Sequence, residues 1–178
     1  MHGHLTAFER LLLDAAIEQA AKSAREGGIP IGSAIGSPAT GIIAAGHNLR
    51  VQDGDPTAHA ETACIRAAGR RRDWSTMTMA TTLSPCIMCS GTALLYRIPR
   101  IIIGEHKTFM GAEELLVSRG VSLLVADDAR CIAMMQKFIA ERPDLWNEDI
   151  GDPPPPPPAP APARGQGGPH HGHHKGRH

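Results

Sequence analysis

An α/β fold is what this sequence predicts, and three observations predict it. Short apolar runs of strand length recur five times between stretches with helical spacing. One run, Arg100 to Gly104, holds three consecutive isoleucines, as a strand buried on both faces does. A helical stretch and another strand-like run follow it directly, which makes a strand-helix-strand unit.

Each element has its own local reason. Thr6 and Glu9 form a capping box, and Phe8, Leu11, Leu12, Ala15 and Ala16 follow at helical spacing until Gly27-Gly28 and Pro30 stop the pattern. Ile31 to Ile35 and Gly41 to Ala45 read as two strands joined by a hairpin-like turn, with a loop from Asn48 to Thr57 after them. Asp55-Pro56-Thr57 has helix-start chemistry, and Ala58 to Ala68 is free of breakers up to Gly69, which puts His59 and Glu61 near a helix N-terminus. A strand at about Thr76 to Leu83 leads into Ser84 as N-cap and Pro85 as first helical residue, with the helix running from Cys86 to Tyr96. Arg100 to Gly104 is the buried strand, Ala112 to Arg119 a helix, and Val121 to Val125 the last strand. Asp127 or Asp128 caps a final long helix, with Ile132, Met135, Phe138 and Ile139 on one face, ending near Pro143. Asp144 to Ile150 is the last stretch expected to be ordered.

A chain of 178 residues, 42% hydrophobic, suits one globular domain with a real core. Aromatic residues make up 3% of it, so the core rests on aliphatic side chains, and Phe109 and Trp146 stand out. No apolar run approaches the roughly 20 residues that cross a bilayer, and the N-terminus lacks a secretory pattern, so a cytoplasmic location is expected. Four cysteines in such a chain argue for metal ligation or burial rather than disulfides. Zero formal charge, with no basic stripe beyond Arg70-Arg71-Arg72, disfavours nucleic acid as a partner and favours a small neutral substrate.

The chemistry is concentrated in two motifs. His59-Ala60-Glu61 and Pro85-Cys86-Ile87-Met88-Cys89 make up the H-x-E and P-C-x-x-C signature of zinc nucleobase deaminases. Cys86 and Cys89 share one helix face, where the N-terminal dipole favours the thiolate form. His59 supplies a third ligand and leaves the fourth tetrahedral position to water, as a catalytic zinc site does. Glu61 can address that ion only if the ion lies beyond the helix N-terminus. Each half also has a plainer meaning. H-x-E alone is a solvated helix start, and C-x-x-C alone is a redox pair or half of a structural zinc module completed by Cys64, Cys131, His47 or His106. The module leaves Glu61 and Pro85 unexplained. Cys64 and Cys131 are otherwise assigned to the core.

From about residue 14 to 151 the chain resembles the fungal-type cytosine deaminases. Gly27-Gly28-Ile29-Pro30-Ile31-Gly32, Gly46-His47-Asn48, the two zinc motifs, Ile98-Pro99-Arg100, Val125-Ala126-Asp127-Asp128 and Trp146-Asn147-Glu148-Asp149-Ile150-Gly151 carry the resemblance. It implies a three-layer α/β/α sandwich with a central mixed five-stranded sheet, one catalytic Zn2+ per subunit, a homodimer and a free nucleobase as substrate. It implies that Asn48 bonds the polar edge of a pyrimidine, that Asp149 accepts from a ring or amino N–H, and that Phe109 and Trp146 enclose the ring. Ile31 and Ala60 join them in the pocket, and the Ser84 carbonyl accepts from the leaving amine. Glu61 carries the proton in the implied conversion of cytosine to uracil and ammonia. Read from the residues alone, Asn48 only shapes its turn, Phe109 and Trp146 are plain core, and Asp149 is a solvated terminus.

The pattern is not uniform. Ala60 stands where the fungal enzymes have glycine and where guanine and tRNA adenosine deaminases have alanine. Ser33 and the acidic loop Asp53-Gly54-Asp55 also depart, which keeps 5-azacytosine, isocytosine and other amino-substituted rings open. Guanine or tRNA adenosine deamination is the enzymatic alternative, and a structural zinc module the non-enzymatic one. The deaminase domain is expected over 1–150. Residues 151–178, rich in Pro, Gly and His, are expected to be a disordered tail. In that tail His170, His171, His173, His174 and His178 offer loose metal ligands, and the proline run a spacer or docking ligand.

Overall fold

The computed structural model of the protein describes residues 4–152. The tail beyond Asp152, with its proline run and histidines, lies outside the described residues.

The chain order is α1 (Ala7–Arg25), β1 (Gly32–Ser37), β2 (Gly41–His47), a single turn α2 (Arg50–Asp53), α3 (Ala60–Ala68), β3 (Thr78–Leu83), α4 (Ile87–Leu95), β4 (Arg100–Glu105), α5 (Glu113–Ser118), β5 (Ser122–Val125), α6 (Ala129–Glu141) and α7 (Pro143–Asp149). The strands form one mixed sheet in the order β2-β1-β3-β4-β5. β1 runs antiparallel to β2 and β3, while β3, β4 and β5 are mutually parallel.

Strand alternation divides the core between the two faces of the sheet. Ile35, Met79, Ile101 and Ile103 point to one side and pack on Cys64 of α3, Ala93 of α4 and Leu116 of α5. Ala34, Ala80, Ile102 and Leu124 point to the other and pack on Leu12, Leu13, Ala16 and Ile17 of α1 and Cys131 of α6. This is the three-layer sandwich the resemblance implies, and the three isoleucines are each fully buried, as a strand covered on both faces requires. Two glycines let the layers close. A Cβ at Gly32 would run into the carbonyl oxygen of Ala16, and one at Gly46 into the backbone of Cys64, so α1 and α3 lie directly on β1 and β2.

Both halves of the Thr6 and Glu9 capping box form, at 3.1 and 2.8 Å, and Asp128 caps α6 through the Arg130 amide at 2.9 Å. Two expected starts are corrected. Asp55 does not open a helix: its carboxylate accepts from the Thr57 amide and hydroxyl in a tight turn, and α3 begins only after His59. Ser84 is not the cap of α4, because Cys86 is at the N-cap and the helix starts at Ile87. The Ser84 hydroxyl instead bridges the Gly111 amide and Glu113.

Candidate active site

The site grows from two helix N-termini. His59 and Cys86 are the N-cap residues of α3 and α4, each in extended conformation, so their side chains project beyond the helix ends. Cys89 follows in the first turn of α4, and the ligand atoms of His59, Cys86 and Cys89 all lie within 4.8 Å of one another. Nδ1 of His59 is 3.6 Å from the Cys86 sulfur, while Nε2 is 3.5 Å from Asp149. The imidazole thus turns one nitrogen to the sulfurs and the other to a carboxylate, the orientation an outer carboxylate imposes on a ligating histidine.

Protonation follows from this crowding. The Cys89 thiol outweighs burial and, with His59, pulls the Cys86 thiol down to about 4. Cys89 is pushed up by the Cys86 sulfur and by burial. Burial works against the charged form of His59, yet the Cys86 sulfur and Asp149 bring its pKa up to about 8. A thiolate beside an imidazolium is a site where protons stand in for a cation. Two sulfurs and one imidazole form the donor set of a catalytic zinc site, and zinc binding would displace those protons. The residues present therefore fit one Zn2+. By contrast, burial drives the Cys64 and Cys131 thiols up to about 12, and both are core residues.

Glu61 sits in the first turn of α3, buried, with its carboxyl accepting from the Thr81 hydroxyl at 3.2 Å. Burial, and then the charge of the Cys86 sulfur, raise its pKa. Next to it opens a cleft lined by Ile31, Asn48, His59, Ala60, Glu61, Leu83, Ser84, Cys86, Phe109, Trp146, Asp149 and Ile150. A wider vestibule of about 900 Å³ shares His59, Cys86, Phe109, Asp149 and Ile150 with it. Every expected site residue lines this cleft or, as Cys89 does, joins the ligand triad.

Helix α7 roofs the cleft. Trp146 is buried against Ile31, Ala60 and Leu83 and meets Phe109 edge-on at 87° with ring centroids 5.7 Å apart. Asp149 accepts from Asn48 Nδ2 at 3.3 Å, and burial pushes its carboxyl pKa up. Asn48 itself is fully buried, and its Oδ1 is occupied by the Arg50 amide at 3.0 Å. Arg50 also reaches across to α7, 3.1 Å from Glu148 and 4.0 Å from Asp149.

Leu83, Ile150, Thr81, Arg50 and Glu113 belong to the site or its supports, and the sequence assigns none of them a role. Leu83 and Ile150 each adjoin a residue that has one, so adjacency was the available signal. The others act through partners distant in sequence.

Comparison with known proteins gives a consistent family. Residues 7–105 match the cytidine and deoxycytidylate deaminase zinc-binding region. A cytosine deaminase of Candida albicans is 45% identical over 142 residues, spanning 79% of this chain and 95% of that protein. A tRNA-specific adenosine deaminase of Streptococcus pyogenes is 35% identical over 143 residues, 71% of this chain and 86% of that protein. Among solved structures, the guanine deaminase of Nitrosomonas europaea superposes with a TM-score of 0.61 at 20% identity, covering 77% of this chain and 86% of that one; at that identity the likeness shows the fold alone. The chain belongs to the cytidine and deoxycytidylate deaminase family, and is a zinc-dependent hydrolytic deaminase.

Proposed function

We propose that this deaminase removes the exocyclic amine of a free pyrimidine base, cytosine to uracil plus ammonia. The observation that carries the reading is the roof. Helix α7 lays Trp146 and Asp149 over the ligand triad, and beneath it lies a narrow cleft lined by Ile31, Asn48, Glu61 and Phe109. A flat base suits a slot closed on that side by Trp146 and Asp149. The relative named a cytosine deaminase, 45% identical, supports the same choice.

Zinc, when bound by His59, Cys86 and Cys89, supplies Lewis acidity that makes water a nucleophile near neutral pH. Glu61 then does the proton work. Its burial and raised pKa suit a carboxyl that takes a proton from the attacking water and delivers it to ring N3, then takes the proton of the new C4 hydroxyl and gives it to the amine as the C4–N bond breaks and the C4 carbonyl forms. Asn48 offers Nδ2 to a carbonyl oxygen of the base, and Asp149 accepts from a ring N–H. Phe109 and Trp146, with Ile31 and Ala60, hold the ring face to face with the ligand triad, and the Ser84 carbonyl receives the departing amine.

Two coarser expectations join this proposal. Exposed Ile87, Leu95 and Met110 leave apolar surface suited to a homodimer. The four cysteines are unbridged, as a reducing cytoplasm keeps them. Among the described residues no helix is long and apolar enough to cross a membrane.

The test is ammonia release by zinc-loaded protein from cytosine, 5-azacytosine, isocytosine, guanine, adenine and cytidine. Turnover of cytosine or its close analogues alone supports the reading. Activity confined to purines transfers it to the guanine or adenosine branch. Efficient turnover of cytidine contradicts the roof.

A further inference from the structure

Asn48 stands at the polar edge of the cleft, and each of its polar groups has a partner. Its amide donates to the Ile31 carbonyl at 2.9 Å, Oδ1 accepts from the Arg50 amide at 3.0 Å, and Nδ2 donates to Asp149 at 3.3 Å. The remaining group is the backbone carbonyl, which accepts from the Ser23 hydroxyl at 3.0 Å. Ser23 lies in the last turn of α1, 25 residues back in the chain, and is fully buried. On the same peptide plane the Leu49 amide donates to the Ala58 carbonyl at 2.9 Å, so the plane that follows Asn48 is held at both poles.

The proposed chemistry uses none of the groups behind this carbonyl. Gln52 Nε2 donates to Ser23 Oγ at 3.1 Å and to Glu26 Oε2 at 3.3 Å. The same Glu26 oxygen lies 2.7 Å from Nε2 of His47, the residue before Asn48. The Gln52 amide has room there because residue 28 is glycine; a Cβ on Gly28 would run into it. Donor count fixes the direction of the bonds. A carbonyl only accepts, so the one hydroxyl hydrogen of Ser23 goes to Asn48, and an amide nitrogen only donates, so Gln52 draws the lone pairs of Oγ toward itself. Turning the Gln52 amide end for end would set its oxygen against the Glu26 carboxylate. In the orientation seen, Gln52 Oε1 is buried with no hydrogen-bond partner among the described residues. An unmet buried acceptor weighs against the fold, so stability alone does not explain this amide; what its placement yields is an oriented Ser23 hydroxyl.

We infer that Ser23, oriented by Gln52, is a positioning residue for the base: by fixing the peptide plane that follows Asn48 it aims Asn48 Nδ2 at the carbonyl oxygen on position 2 of the ring. Glu61 and the metal ligands stand at the starts of α3 and α4, and His59 has its own backbone bond to the Thr57 carbonyl at 2.9 Å. The contribution of Ser23 therefore falls on binding of the base, with the proton step and the zinc site left as they are.

The inference rests on the reading of the cleft as a base site, and cytosine turnover by the unaltered zinc-loaded protein tests that reading separately. The measurements are kcat and KM for cytosine, and the Kd of uracil, the product, which keeps O2 and N1–H. One hydrogen bond contributes about 2–10-fold to affinity. Ser23→Ala is expected to raise KM and the uracil Kd by at least about threefold, with kcat and zinc content unchanged. Gln52→Met, of similar size but with no donor, is expected to act in the same direction and to add little to Ser23→Ala when the two are combined; it carries the test if Ser23→Ala fails to fold. The same changes are then made in an Asn48→Ser background. Asn48→Ser keeps an oxygen that can accept from the Arg50 amide and removes the arm that reaches the base, so the effect of Ser23→Ala or Gln52→Met on the uracil Kd should vanish there. A change acting through the fold at large would keep its full size. Unchanged KM and uracil Kd in both Ser23→Ala and Gln52→Met would overturn the inference. So would a loss confined to kcat or to zinc content, or an effect of the same factor in the Asn48→Ser background.

Discussion

Replacing Glu61 by Gln isolates the proton step from everything else the site does. Glutamine keeps the shape of the side chain and an oxygen that can accept from Thr81, now 3.2 Å from Glu61 Oε1. It cannot carry a proton. General acid–base catalysis contributes about 10²–10⁴-fold, or about 2.7–5.4 kcal/mol at 1.36 kcal/mol per tenfold. Glu61 would serve twice in each turnover, first as base and then as acid, so a loss near the upper figure, about 10⁴-fold in kcat, is expected. Stability should move the other way. Burial raises the Glu61 pKa, which means the fold disfavours its charge, and a neutral amide removes that cost. The assay is ammonia release from cytosine at saturating base, alongside zinc content and thermal melting of the metal-free protein. Turnover within about tenfold of the unaltered protein at full zinc content would refute the proton role. Lost zinc would refute the premise that Glu61 stands outside the ligand set.

Four further outcomes follow from the same geometry. In metal-free protein at pH 6, above the Cys86 pKa of about 4 and below those of Cys64 and Cys131 at about 12, iodoacetamide should label Cys86 alone; lowering the pH through 4 should suppress labelling, and added zinc should block it, as read by peptide mass spectrometry. Asp149→Asn removes a charged acceptor worth about 1.5–3 kcal/mol, so kcat/KM for cytosine should fall by about 10–150-fold with zinc content retained. Gly32→Ala forces α1 off β1, and an overpacking cost of about 1–3 kcal/mol should lower Tm by about 2–12 °C in calorimetry. 1-Methylcytosine, which is small but lacks the N1–H, should be turned over at least about tenfold less well than cytosine.

What could be read from the sequence was whatever depends on spacing along the chain. His59 and Glu61, then Cys86 and Cys89, are fixed by local helix geometry, so their convergence on one site followed from the motifs. The two-faced burial of Ile101, Ile102 and Ile103 likewise follows from strand alternation. The failures share a different cause. Ser84 has the residue type and position of an N-cap, yet Gly111 and Glu113 compete for its hydroxyl from 27 and 29 residues away. Once that hydroxyl is taken, Cys86 becomes the cap residue and its sulfur points off the end of the helix. Asp55 likewise satisfies its own turn through Thr57 before α3 begins. Arg50, in the short α2, and Thr81, in β3, have no such role until Asp149 and Glu61 are folded against them. Such roles are created by tertiary contact, and no local pattern announces them.

The polar edge of the cleft bears on free base against nucleoside by a route independent of size. Asn48 turns its Oδ1 to the Arg50 amide and its Nδ2 to Asp149 in the cleft, so the group it offers a ligand there is Nδ2, a donor. Asp149 is an acceptor, and the contacts with Asn48 and His59 both fall on its Oδ1. The pair therefore asks for an acceptor and a donor on neighbouring atoms of the base. Cytosine offers that combination at O2 and N1–H. In cytidine the glycosidic bond replaces the N1–H, so the Asp149 carboxylate keeps only its protein partners Asn48 and His59 and loses the charge-assisted hydrogen bond from the base. Nucleosides are thus rejected twice, once by the roof that α7 forms and once by hydrogen-bond polarity, and 1-methylcytosine removes the second feature while nearly preserving the first. If it were turned over as well as cytosine, exclusion by the roof alone would have to account for any preference for a free base.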